Sequence, residues 1–166
     1  MAQTSRFIFT PYSAEFANTA FPQVDITNST TYRPILRFDA TVDETCYWTA
    51  IAPQGLTGNL VLKTYYIMAS ATSGSVIVRS AVEAVTDGDA TDLDAGVSFD
   101  TVNDSAATAV PATAGYMDVI SLTLANKDNI AAGDYFRIYL KRYATSGSDT
   151  AAGDMNVLSV EFTDGN

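Results

Sequence analysis

Beyond Arg33 the apolar residues recur at period two, in short runs broken by Gly, Asp, Asn, Ser and Pro. That alternation predicts strands with one face for a core and the other for water or a neighbour. In PILRFDA, Leu36 and Phe38 share a face, and in ETCYWTAIA, Cys46, Trp48 and Ala50 oppose Tyr47, Thr49 and Ile51. The run NLVLKTYYIMAS sets Leu60, Leu62, Tyr66 and Met68 against Lys63 and Tyr65; SVIVRSAVEAV sets Val76, Val78 and Val82 against Arg79 and Glu83. Farther on, MDVISLTL aligns Ile120, Leu122 and Leu124, YFRIYLKR aligns Phe136, Ile138 and Leu140, and MNVLSVEF aligns Leu158, Val160 and Phe162. An eighth, weaker run is expected between Val97 and Val110. Eight antiparallel strands joined by turns such as TSGS and ANKDN predict an all-β fold, a two-sheet antiparallel β-sandwich of jelly-roll type. A seven-stranded immunoglobulin-like sandwich is the rival, and the single cysteine denies it the Cys-Trp-Cys pattern of that fold.

Residues 1–33 follow neither period, yet hold six of the eighteen aromatics: Phe7, Phe9, Tyr12, Phe16, Phe21 and Tyr32. They predict an extended N-terminal arm ahead of a sandwich domain of residues 34–166. Free disordered tails are poor in aromatic rings, so these rings should pack on something. Two courses are open: an edge strand on the arm's own domain, or an arm laid across another subunit as an interaction surface. On the second course, removing the arm leaves a folded sandwich.

At 166 residues the chain suits one domain. Its formal charge is −10, and between Ser80 and Asn126 stand eight acids with no Lys or Arg. Such a surface repels phosphate backbones and anionic membranes, so neither nucleic acid nor membrane is an expected partner. No apolar run approaches the roughly 18–20 residues of a spanning helix. The first residues, MAQTSRFIFTPYSAEF, lack the charged and apolar regions of a secretory signal, so export by that route is not expected.

The chain has no histidine, which removes Ser-His-Asp and Cys-His mechanisms and the commonest zinc ligand. No glycine-rich phosphate loop follows a strand, and no cofactor is implied. The acids fall in a Gly/Ala/Asp loop rather than on converging strands, so no catalytic residue is assigned and no enzyme is expected. Within that loop Asp87, Asp89, Asp92 and Asp94 offer oxygen ligands to Ca²⁺, without the spacing of an EF-hand. The competing reading is a solvated acidic connection that keeps sheet edges from pairing. Tyr65, Tyr135 and Tyr139 fall on outward faces, where rings with a polar tip suit a glycan platform or a subunit interface.

The series DETCYWTAIAPQG, VLKTYYIMASATSGSVIVRSAVEAVTDGDATDLDA, SFDTVN, VPATAGYMDVISLTLAN and NIAAGDYFRIYLKR…GDMNVLSVEF resembles small β-sandwich virion proteins of tailed bacteriophages. The resemblance covers about residues 33 to 163, and its motifs are structural rather than catalytic. It implies a capsid decoration or cement protein on the outer surface of the phage head, made in the host cytoplasm. It also implies a homotrimer that clamps adjacent subunits of the major capsid protein. A carbohydrate-recognising module of a head or tail fibre, stacking sugars on Tyr65, Tyr135 or Tyr139, is the alternative from another class.

Overall fold

The period-two alternation resolves into two antiparallel sheets stacked face to face. The structure, a computed structural model, describes residues 5–56 and 59–164. Its strands are β1 (Arg6–Phe9), β2 (Glu15–Phe16), β3 (Gln23–Ile26), β4 (Pro34–Phe38), β5 (Glu44–Ile51), β6 (Leu60–Met68), β7 (Ser75–Val76) and β8 (Val78–Ser80). There follow β9 (Val82–Val85), β10 (Asn103–Asp104), β11 (Thr108–Ala109), β12 (Met117–Leu124), β13 (Tyr135–Arg142) and β14 (Met155–Asp164).

The first sheet runs β12-β6-β14-β4-β3, and the second runs β10-β8-β13-β5-β2. Each is built on a long central strand with one full-length neighbour and one divided flank. On β14 the divided flank is β4 at residues 155–157 and β1 at residues 160–163. On β13 it is β9 at residues 135–138 and β8 at residues 141–142. Between the sheets lie the inward rows that the alternation predicts, Leu60, Leu62, Tyr66 and Met68 of β6 meeting Cys46 and Trp48 of β5 and Phe136, Ile138 and Leu140 of β13. Phe136 stacks on Phe162 at 5.1 Å between centroids, which joins the two central strands through the core.

Two features differ from the sequence reading. Leu158 was expected in the core row of β14, but a β-bulge between Val157 and Ser159 shifts the phase. Met155 and Val157 face inward before it, Val160 and Phe162 after it, and Leu158 is left half-buried on the outer face. The expected eighth strand is reduced to two two-residue pairings, β10 on β8 and β11 on β7, because the segment lacks a sustained apolar row.

The N-terminal segment is extended and, over residues 6–26, lies on its own domain. β1 pairs with β14, β2 with β5, and β3 with β4 across the 33/34 boundary. Phe9 is buried and stacks on Trp48 at 5.5 Å, and Phe7 meets Phe136 edge-on at 5.8 Å. These two rings alternate with outward Arg6 and Ile8, a period-two pattern too short to stand out in the sequence. Tyr12, Phe16, Phe21 and Tyr32 stay exposed, with Phe16 and Phe21 in contact at 5.6 Å.

Candidate functional site

The second sheet turns its outward residues into cross-strand rows, because directly opposed residues of antiparallel strands share a face. Tyr135 opposes Ile51 and Val85, Arg137 opposes Thr49 and Glu83, Tyr139 opposes Tyr47, and Lys141 opposes Thr45 and Arg79. Glu15 of β2 opposes Tyr47 on the other side. The acidic connection after β9 returns over this face. Asp100 donates its backbone N–H to the Val82 carbonyl at 2.9 Å, and Ser98 donates both its N–H and its hydroxyl to Glu83 Oε1. Phe99 is thereby laid between Tyr47 and Tyr139, at 6.0 and 5.4 Å from their ring centres, while those two tyrosines meet edge-on at 6.2 Å.

Arg137 crosses this cluster. Its guanidinium carbon lies 4.9 Å from the Tyr47 centroid and 5.8 Å from that of Phe99, within cation–π range. Its charge is flanked by Glu15 at 3.5 Å and Glu83 at 3.8 Å. Those separations are long for hydrogen bonds, so the planar fork of donors is oriented but not consumed. Arg79, one row beyond, is different: its Nε and Nη2 donate to the two oxygens of Asp104 at 2.6 and 2.7 Å, and its guanidinium caps Tyr143 at 3.8 Å. That bond from Arg79 holds the Asp104 carboxyl below the usual carboxylate range. Burial pushes the Tyr139 hydroxyl up, so it remains a donor at neutral pH.

The sequence-predicted residues divide among several places. Tyr139 belongs to the cluster, and Tyr135 lies two rows away on the same face, lining a pocket of about 320 Å³ with Ile51, Val85, Asp87 and Asp89. Tyr65 is on the opposite sheet, where its hydroxyl donates to Glu161 at 2.9 Å and Glu161 also meets Arg6 and Lys63. Asp87, Asp89, Asp92 and Asp94 are exposed; Asp89 accepts from the Thr86 N–H and Asp92 from the Asp94 N–H, each at 3.0 Å. Among the described residues no group of three or more Cys, Asp or Glu side chains is drawn together to hold a metal ion. Sequence reasoning missed Glu15, Tyr47, Glu83, Phe99 and Arg137 as site residues. Tyr47 and Arg137 were legible as outward positions; the loop that brings Phe99 to them carries no periodic signal.

Another cleft lies on the outer face of the first sheet. It measures about 510 Å³, with Ile67, Met117 and Leu158 as apolar walls and Asn28 and Arg33 at its rim. Among the described residues no aromatic ring lines it.

No protein-family model matches the chain, and no curated protein matches it. Solved structures do. The chain is similar to the CBM35 of Abf62 from Cellvibrio japonicus at 12% identity and TM-score 0.55, over 98% of this chain and 95% of that one. A family 35 carbohydrate binding module from Clostridium thermocellum matches at 14% identity and TM-score 0.58, over 95% of this chain and 97% of that one. Xyl-CBM35, solved in complex with a glucuronic acid containing disaccharide, matches at 12% identity and TM-score 0.50, over 96% and 94%. At such identities the likeness is one of fold: the chain has the jelly-roll sandwich of these modules.

Proposed function

We propose that this chain is a carbohydrate-recognising β-sandwich module that binds sugar on the outer face of its second sheet. The observation that carries the reading is the arrangement of Arg137 between Tyr47, Phe99 and two carboxylates. A pyranose presents apolar C–H faces and a fringe of hydroxyls. Recognition therefore asks for aromatic rings beside fixed donors and acceptors, and these residues supply both. The fold supports the reading, since its solved relatives include carbohydrate-binding modules. Binding rather than turnover agrees with the absence of histidine from the sequence.

The test is a glycan-array screen of the intact protein, followed by titration of its best ligand into Tyr47→Ala and Arg137→Met. Each substitution is expected to weaken binding by about tenfold or more, the effect of one well-placed anchor, in protein that still folds. Unchanged affinity in both variants would remove this face as the site.

A second reading, capsid decoration through the N-terminal segment, draws on the exposed rings of Tyr12, Phe16, Phe21 and Tyr32. Its partners would be the major capsid protein and further copies of this chain as a trimer. Co-sedimentation with phage heads, repeated after Tyr12→Ser and Tyr32→Ser, tests it: binding lost in the variants supports decoration, and no binding by the parent rules it out.

A further inference from the structure

Taking the sugar site on the second sheet as given, we infer that its ligand is an uncharged oligosaccharide recognised through adjacent hydroxyls. Carboxylated and phosphorylated sugars are rejected. The inference follows from how the charges on this face are already matched.

Arg79 pairs its charge two-pronged with Asp104 and lays its guanidinium over Tyr143. Arg137, with donors to spare, stands between two carboxylates, Glu15 on β2 and Glu83 on β9. The immediate balance is one positive charge against two negative. Glu83 is only 2% exposed, and its Oε1 accepts from the N–H and hydroxyl of Ser98. A sugar carboxylate reaching for Arg137 would meet both of these anions at close range. Lys141, the third base of the face, belongs to the row beyond Tyr139, beside the Arg79–Asp104 pair. It does not relieve the repulsion at Arg137, and the net charge of −10 extends that repulsion over the whole molecule.

Hydrogen-bond chemistry selects in the same direction. Glu15 is about half exposed, with its side chain at 46%, and has Arg137 as its ion-pair partner at 3.5 Å. As a carboxylate it only accepts, so a ligand must donate to satisfy it, and the guanidinium beside it only donates, so the same ligand must also accept. Hydroxyl groups do both; carboxylate and fully ionised phosphate oxygens do not donate. A pair of neighbouring sugar hydroxyls meets the Glu15–Arg137 pair with every group used.

The experiment is a glycan array carrying matched neutral and uronate-containing oligosaccharides, then titration of the best neutral binder and its uronate counterpart at about 0.01 M and about 1 M NaCl. The neutral ligand is expected to bind about tenfold or more tightly than its counterpart, with an affinity almost independent of salt. Glu15→Gln should narrow that preference several-fold, because it removes one of the two anions. Preferential binding of uronates that weakens in high salt would overturn the neutral assignment while leaving the glycan reading intact. Binding of no glycan in either class would overturn both.

Discussion

Arg142 lies fully buried at the end of β13, in the inward row that begins with Phe136. Its guanidinium is held by both oxygens of Asp149 at 3.2 and 2.8 Å and by the carbonyls of Gly153 and Ala151 at 2.6 and 2.8 Å. The group ties the loop after β13 to the sandwich. Arg142→Met would leave the Asp149 carboxylate buried without its cation, and is expected to cost about 3–5 kcal/mol in chemical denaturation. Phe136→Ala opens a cavity between Phe7 and Phe162 and is expected to cost about 3–5 kcal/mol, whereas Leu158→Ala, outside the core, should cost under about 1.5 kcal/mol. Equal denaturant midpoints for these last two variants would place the bulge wrongly. At this scale the inward positions of Trp48, Ile138 and Leu140 were legible, because period two fixes a face wherever a strand is regular. Leu158 was not legible: one extra residue reverses the phase, and nothing in MNVLSVEF marks the place.

The strands around the core could be read from alternation; the segments that lie upon them could not. Residues 6–16 complete both sheets, and Trp48 donates its indole N–H to the Thr10 carbonyl at 3.3 Å. Deleting residues 1–16 therefore strips Phe9 from Trp48 and orphans that donor. The truncated protein is expected to melt early or aggregate, in contrast to the folded sandwich that the extended-arm reading predicts; an unaltered thermal transition would refute the packing of β1. The loop carrying Phe99 has its own anchor. Asp100 accepts the backbone N–H of Asp128 at 2.8 Å and that of Thr101 at 2.6 Å, and these bonds hold its carboxyl below the usual range. A carboxyl whose folded pKa is depressed adds stability that is complete above the unfolded value and lost as pH falls through the folded one. The loop is thus expected to stay closed at neutral pH and to loosen below about pH 4, seen as faster amide exchange at residues 98–101. Asp100→Asn should remove that acid-sensitive step. A site of this kind is hard to read in sequence because its members, Glu15, Tyr47, Glu83, Phe99 and Arg137, come from five separate stretches joined only by register and one loop.

Across the whole molecule, the first described strand rests on the last. Ser5 donates its N–H to Asp164 at 2.7 Å, Asp164 returns one to the Ser5 carbonyl at 3.2 Å, and Phe7 faces Phe162 across the β1–β14 pairing. Pairings of such sequence separation are the slowest to form, because nearly the whole chain must close as a loop before they bring any gain. The order of synthesis adds a delay of its own. At about 5–20 residues per second, Phe7 and Phe9 are made roughly 8 to 30 seconds before their partners on β14. Throughout that interval Trp48 is made but has no Phe9 cover in place, and the aromatic edge that will seal the sandwich stands open to water and to other nascent chains. β1 is thus a strand that the sandwich can use only once β14 has been made.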